Sequence, residues 1–268
     1  MAGRGGRIYD KFRNRLIFPV IDVRGDVVAF GGRVLDKSEP KYMNSQETPV
    51  YSKRRVLYGL NLAKKSKRSN IILCEGNIDV VTLHQAGFDN AVASMGTALT
   101  VEQTRLLSRF TKELVLCYDN DNAGKIATER ALQILNGSDF SVKVLQLPRR
   151  LVDGEYIKQD ADDFIKNYGP AAFENLLSGS ENGVEFRMTQ IAARYDLTSD
   201  EGRIGYAGEM AEELCRLENA VERDVYTNRA AQTAGLSPEA MKLEVQRSFK
   251  RRIAREKRAE LRKDLNPA

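Results

Sequence analysis

Between residues 70 and 147, short apolar runs alternate with segments of helical length, and this alternation constrains the fold more than any other feature of the chain. Residues 70–74 (NIILC), 91–94 (AVAS), 114–118 (LVLCY) and 142–147 (VKVLQL) are too short for buried helices and read as strands. Between them, residues 78–85 have helical spacing and stop near Gly87, Thr100-Val101-Glu102-Gln103 is a capping-box pattern, and 125–135 ends at Asn136-Gly137. Strands that alternate with helices predict a parallel sheet covered by crossover helices. A further helical stretch, 164–177, is broken by Gly169-Pro170.

The flanks differ from this middle. Residues 16–35 read as two strands around the turn Arg24-Gly25-Asp26, with Gly31-Gly32 ending the second or forming a bulge. Residues 36–58 are polar with little periodicity and are expected to form one long loop, with aromatics between basic residues. Residues 181–268 carry no strand signal. A second capping pattern stands at Thr198-Ser199-Asp200-Glu201, and Ser237-Pro238 opens a helix that runs into the tail RSFKRRIAREKRAELRKD. The expected fold is therefore α/β: a parallel sheet flanked by helices at 69–178, a basic mixed segment at 1–68 and an all-α subdomain at 179–268.

Charge follows the same division. Residues 1–68 hold 16 Lys and Arg against 6 Asp and Glu, 69–246 hold 17 against 28, and 247–268 hold 9 against 3. Basic ends around an acidic middle suggest a polyanion held near a carboxylate cluster. No apolar run reaches the roughly 18 residues of a membrane span. The basic, Gly-rich opening at 1–7 has no apolar stretch behind it, so no secretory signal is read there. Cys74, Cys117 and Cys215 lie far apart and His84 is the one histidine. A zinc site or a His-based triad is not expected, and the cysteines read as buried residues of a reducing cytoplasm.

The acidic residues fall where an α/β sheet places its ligands, at the carboxyl ends of parallel strands. Glu75 follows 70–74 and Asp119 follows 114–118; Asp121 comes two residues later, on the same side of an extended segment. Asp79 would lie in the first turn of the helix after Glu75. Asp160 and Asp162 repeat the two-residue spacing. Converging carboxylates repel unless a cation neutralises them, and oxygen ligands without His or Cys suit Mg²⁺ or Mn²⁺. Lys125, one turn beyond Asp121, reads as a helix-surface residue, with a phosphate contact as its second reading.

EGNID (75–79) with DND in YDNDNAG (118–124) resembles the Toprim signature. The flanks YDKFRNRLIFPVIDVRGDVVAFGGRVL, PKYMNSQET and LYGL, with SMGTALT (94–100), ADDFIKNYG (161–169), DLTSDEGR and GLSPEAM, resemble the RNA-polymerase core of bacterial DnaG-type DNA primase over nearly the whole chain. The resemblance implies a Toprim-type sheet and metal-binding carboxylates at Glu75, Asp119 and Asp121, supported by Asp79, Asp160 and Asp162. It implies a basic ridge of Arg13, Arg15, Arg33, Lys41, Tyr42, Asn44 and Lys53 for template and nucleotide. The bottom-up charge agrees, since Lys and Arg meet phosphates and Tyr42 and Tyr51 can stack on bases.

The implied activity is Mg²⁺- or Mn²⁺-dependent synthesis of short RNA primers from ribonucleoside triphosphates on single-stranded DNA, in the cytoplasm at the replisome. Family members begin with a zinc module and end with a helicase-docking domain. Neither is read in this chain, so the resemblance implies a fragment that meets the replicative helicase only through a domain absent here, and whose independent activity is open. The other readings are a template-binding fragment without catalysis, or part of a Toprim nuclease or topoisomerase. In the tail, Arg247, Arg251, Arg255 and Arg258 form a basic stripe. Few apolar residues lie beyond Ile253 and Leu261, so a solvated terminal helix is expected.

Overall fold

The computed structural model describes residues 10–94, 96–152 and 155–265. The basic opening at 1–7 and the last three residues of the tail lie outside the described residues. The chain divides into two compact units, Met1–Asn182 and Gly183–Ala268.

The first unit opens on a hairpin of β1 (Arg15–Ile21) and β2 (Val27–Val34). The Asp22 carboxylate closes its turn by accepting from the N–H groups of Arg24, Gly25 and Asp26 at 2.8, 3.0 and 3.0 Å. Gly31-Gly32 neither ends β2 nor bulges it. The strand runs through both to Val34, because the Phe12 and Arg15 side chains lie over Gly32, where a Cβ would stand 2.8 Å from the Phe12 ring. The irregularity in β2 falls instead at Val28, the extra residue opposite the step from Val20 to Ile21 of β1. The expected long loop contains β3 (Tyr42–Asn44), paired with β2, and β4 (Leu57–Tyr58). Two or three residues are too few to show an alternating pattern, so only the pairing reveals them. Val20, Ala29 and Tyr51 form a small buried cluster here.

After α1 (Leu60–Ala63) the alternation appears as expected: β5 (Asn70–Cys74), α2 (Asn77–Gln85), β6 (Ala91–Ser94), α3 (Val101–Leu107), β7 (Glu113–Cys117), α4 (Asn122–Leu135) and β8 (Ser141–Val144). A two-stranded ribbon follows, β9 (Arg150–Val152) and β10 (Glu155–Ile157), then α5 (Ala161–Ser178) and β11 (Glu181–Asn182). Among the described residues the main sheet has the order β11-β8-β7-β5-β6-β4. The inner four strands are parallel, while β4 and β11 pair antiparallel at the edges. β11 lies where no strand was expected and is again only two residues long.

The central strands are apolar on both faces because helices cover both faces. Ile72, Cys74, Val115 and Cys117 are buried with Val80 and Leu83 of α2 and with Phe164, Phe173 and Leu177 of α5. Their neighbours Ile71, Leu73, Leu114 and Leu116 are equally buried. Each such side chain contributes about 1.5–3 kcal/mol. Thr100 and Gln103 exchange the two capping hydrogen bonds of α3, both 3.1 Å. α5 breaks at Gly169 (φ 80°) before Pro170.

The second unit is helical: α6 (Gly183–Ala192), α7 (Asp200–Leu214), α8 (Ala220–Ala234) and α9 (Pro238–Leu265). Met188, Ile191, Tyr206, Met210, Ala230 and Met241 belong to its core. Ser199, not Thr198, caps α7: its hydroxyl accepts from the Gly202 N–H at 3.1 Å, while Thr198 bonds to the Asp196 carboxylate. Arg247, Arg251, Arg255 and Arg258 are exposed along α9, and Met241 and Val245 are buried. Among the described residues no helix is long and apolar enough to cross a membrane.

Candidate metal and nucleic-acid site

β5 and β7 are neighbours in parallel register, Cys74 beside Cys117, so their carboxyl ends deliver Glu75 and Asp119 to one edge of the sheet. The Asp119 N–H donates to Glu75 Oε1 at 3.2 Å. Asp121 caps α4, its Oδ1 accepting from the Gly124 N–H at 2.8 Å. Between the two aspartates, the Asn120 amide donates to the Leu147 carbonyl at 2.8 Å and ties the segment to the chain beyond β8. Gly124 packs directly on this turn: a Cβ there would stand 2.0 Å from the Asp119 carbonyl oxygen.

Asp79 sits in the first turn of α2. Its Oδ2 accepts from the Gly76 N–H at 3.1 Å and its Oδ1 from the Asp162 N–H at 3.3 Å. Asp160 and Asp162 do not lie in an extended segment. Asp160 caps α5 and accepts from the Asp163 N–H at 2.7 Å, and Asp162 is inside the first turn. Helix geometry therefore brings together Asp160, Asp162 and Asp163, whose carboxylate oxygens lie within 4.8 Å of one another. Asp162 is buried and takes the Thr82 hydroxyl at 2.5 Å and the Lys166 ammonium at 2.6 Å.

The electrostatics follow from burial and crowding. Burial pushes the Asp79 carboxyl up to about 7, with Asp160 adding to the shift. Burial also raises Glu75, reinforced by Asp119, and raises Asp119 itself against the pull of Lys158. Asp121 alone of these is lowered, first by the Gly124 N–H and then by Lys158. Recessed carboxylates held above their usual range, with oxygen donors only, fit a hard divalent cation, which would favour their ionised forms.

Of the expected basic ridge, Tyr42 comes nearest these acids. Arg33 and Lys41 each lie 5.8 Å from the centre of the Tyr42 ring. The Tyr42 hydroxyl is raised by burial, lowered by Arg33 and raised again by Asp79, Asp160 and Asp162, which places it in the field of the acidic residues. Asn44 lies against Gly96, at the end of β6. Arg15 donates to the carbonyls of Gly32 and Lys41 at 3.4 and 3.5 Å, within its own sheet. Arg13 is exposed before β1. Lys53 is tied through its backbone to Glu47 and Gln103, at the start of α3. Lys125 is in the first turn of α4, its N–H bonded to the Asp121 carbonyl at 3.0 Å. A cleft of about 300 Å³ beside the acids is lined by Glu75, Gly96, Tyr118, Ile126 and Arg130.

Two residues of the site were not singled out in the sequence. Asp163 was passed over because the two-residue spacing favoured Asp160 and Asp162; the helix cap recruits it. Lys158 reaches Asp119 Oδ2 at 3.4 Å and Asp121 Oδ2 at 3.0 Å across 39 and 37 positions of chain. The signal was a lysine two residues before an acidic run, but its partners lie on a different strand end.

Three family models match successive parts of the chain. They are described as the DNA primase catalytic core, N-terminal domain (residues 1–64), Toprim-like (72–165) and the DnaB-helicase binding domain of primase (184–239). The last corrects one expectation: the helicase-binding model falls on α6–α8 of this chain, not on a domain outside it. The DNA primase of Clostridium acetobutylicum is 40% identical over 235 residues, covering 87% of this chain and 38% of that protein. The chain thus spans about two fifths of the curated relatives it matches. A DNA primase domain from Pseudomonas aeruginosa is 34% identical, with a TM-score of 0.70, and 91% of this chain covers 76% of it. A DnaG primase catalytic domain bound to single-stranded DNA is 33% identical, TM-score 0.70, with 87% and 73% of the two chains covered.

Proposed function

The chain belongs to the DnaG-type bacterial DNA primases, and from that membership we propose that it joins ribonucleotides into short RNA primers on a single-stranded DNA template. The observation that carries this reading is the meeting of Glu75, Asp119 and Asp121 at the carboxyl ends of β5 and β7, with Tyr42 of the basic sheet in the field of the neighbouring acids. In the reaction, the 3′-hydroxyl of the growing primer attacks the α-phosphorus of a ribonucleoside triphosphate and pyrophosphate leaves.

Glu75, Asp119 and Asp121 would hold Mg²⁺ or Mn²⁺, with Asp79, Asp160 and Asp162 in support; the bound ion supplies charge neutralisation for the triphosphate and acidifies the attacking hydroxyl. The residues of the chain do the rest. Backbone N–H groups fix the Glu75, Asp79, Asp121 and Asp160 carboxylates before substrate arrives, which lowers the reorganisation the reaction requires. Arg13, Arg15, Arg33, Lys41 and Lys53 attract template and triphosphate phosphates, Tyr42 offers a stacking face, and Asn44 offers an amide at the Gly96 turn. We assign residues 1–68 to template binding, 69–178 to the Toprim centre and 179–268 to the helical subdomain. The match at 184–239 supports helicase contact through α6–α8. A cytoplasmic place at the replisome belongs to the same proposal. The nuclease and topoisomerase readings lose ground, because the models matching on both sides of the Toprim segment are primase models.

Incubation with labelled ribonucleotides, Mn²⁺ and single-stranded DNA tests the proposal. Wild-type chain should yield short labelled RNA, and Asp119→Asn with Asp121→Asn should lower the yield roughly 10²–10³-fold, the scale of several kcal/mol of lost charge stabilisation. DNA binding by a folded chain that makes no RNA would identify a template-binding module instead.

A further inference from the structure

Among the described residues of the first unit, Lys158 stands out because it meets two of the proposed metal ligands at once. Its ammonium is 3.0 Å from Asp121 Oδ2 and 3.4 Å from Asp119 Oδ2. The two sides of this contact are unlike. The Asp119 and Asp121 side chains are 23% and 32% exposed and Asp121 is held by its cap on α4, whereas the Lys158 side chain is 59% exposed. Lys158 is the first residue after the β9–β10 ribbon, which among the described residues is a separate two-stranded sheet. A second lysine supplies the contrast. Lys166 meets buried Asp162 at 2.6 Å within one turn of α5, so the helix itself holds that pair together. Nothing comparable in the local backbone binds Lys158 to its partners; four rotatable side-chain bonds carry the charge there and can carry it away.

A dication on Asp119 and Asp121 and an ammonium on the same oxygens repel at about 4 Å, so the two cannot share the pair without cost. We propose that Lys158 is a positioning residue, the exchangeable counter-ion of Asp119 and Asp121, which keeps both carboxylates together and yields them to the divalent cation. The inference rests on the metal reading given above. It means that the affinity of the site for the ion is set partly by a residue that is not a ligand, and that removing the lysine charge strengthens ion binding. A purely structural salt bridge would do the opposite, because its loss would loosen the ligands.

Titration of the full chain with Mn²⁺, followed by the resonance signal of the free ion, distinguishes these outcomes. Lys158→Met should tighten Mn²⁺ binding roughly tenfold, the scale of a unit charge near a dication after screening by water and salt. Lys158→Arg should restore binding to within about twofold of wild type, since it keeps the charge. The rise in melting temperature on adding Mn²⁺ should be larger in Lys158→Met than in wild type, and because the side chain is mostly in water the variant should fold. Unchanged or weaker binding in Lys158→Met, with binding lost in Asp119→Asn/Asp121→Asn, overturns the inference and leaves the metal reading standing. Wild-type binding that survives the double variant overturns both.

Discussion

Glu75, Asp79, Asp119, Asp121 and Asp160 stand at strand ends and in first helical turns, and all but Asp119 accept a hydrogen bond from a backbone N–H. Asp119 instead donates its own N–H to Glu75. Arg13 and Lys41 stand exposed on or beside an antiparallel sheet, and Tyr42 is half-buried in it. The acidic edge is therefore set by strand register and helix caps, and a change of one atom in the backbone packing should disturb it sharply. The basic sheet acts through charge summed over long side chains, and its loss should be graded.

The sharpest break is expected at Gly124. A methyl group there would stand 2.0 Å from the Asp119 carbonyl, so Gly124→Ala must move the turn that carries Asp119 and Asp121. It should lower stability by about 1–3 kcal/mol in urea unfolding and weaken Mn²⁺ binding more than tenfold. Normal stability and normal binding would show that the acidic edge is as tolerant as the basic sheet.

A smaller effect is expected in the basic sheet. Replacing Arg13, Arg15 and Lys53 together with Ala should flatten the logarithmic salt dependence of single-stranded DNA binding by roughly one unit per lost phosphate contact. Folding and Mn²⁺ affinity should stay close to wild type. Equal slopes in variant and wild type would mean that these charges only keep a face in water.

The same contrast explains what could be read before the fold was known. Strand β7, the Thr100 box and the Asp119–Asp121 spacing were legible because each is a local pattern whose period survives in the structure. β3 was not, since three residues beside a strand edge have no period of their own. Asp160 and Asp162 were singled out by their two-residue spacing; in the structure a helix cap groups them and brings in Asp163. Lys158 was out of reach because its partners lie 37 and 39 positions away and only the folded chain brings them together.

The least effect is expected from the tail. Arg251, Arg255 and Arg258 of α9 are exposed. Deleting residues 254–268 should therefore move the melting temperature by no more than a degree or two and leave Mn²⁺ binding unchanged. A loss of several degrees would show that the end of α9 is packed, and would place it with the ordered acidic edge in the comparison above.

Thermal melting with and without millimolar Mn²⁺ tests the central claim most directly. Folding holds Glu75, Asp119 and Asp121 together, so an ion that binds the folded chain alone must raise its melting temperature. The account predicts a clear rise for wild type and none for Asp119→Ala/Asp121→Ala. No rise in wild type, or an equal rise in the double variant, would contradict it.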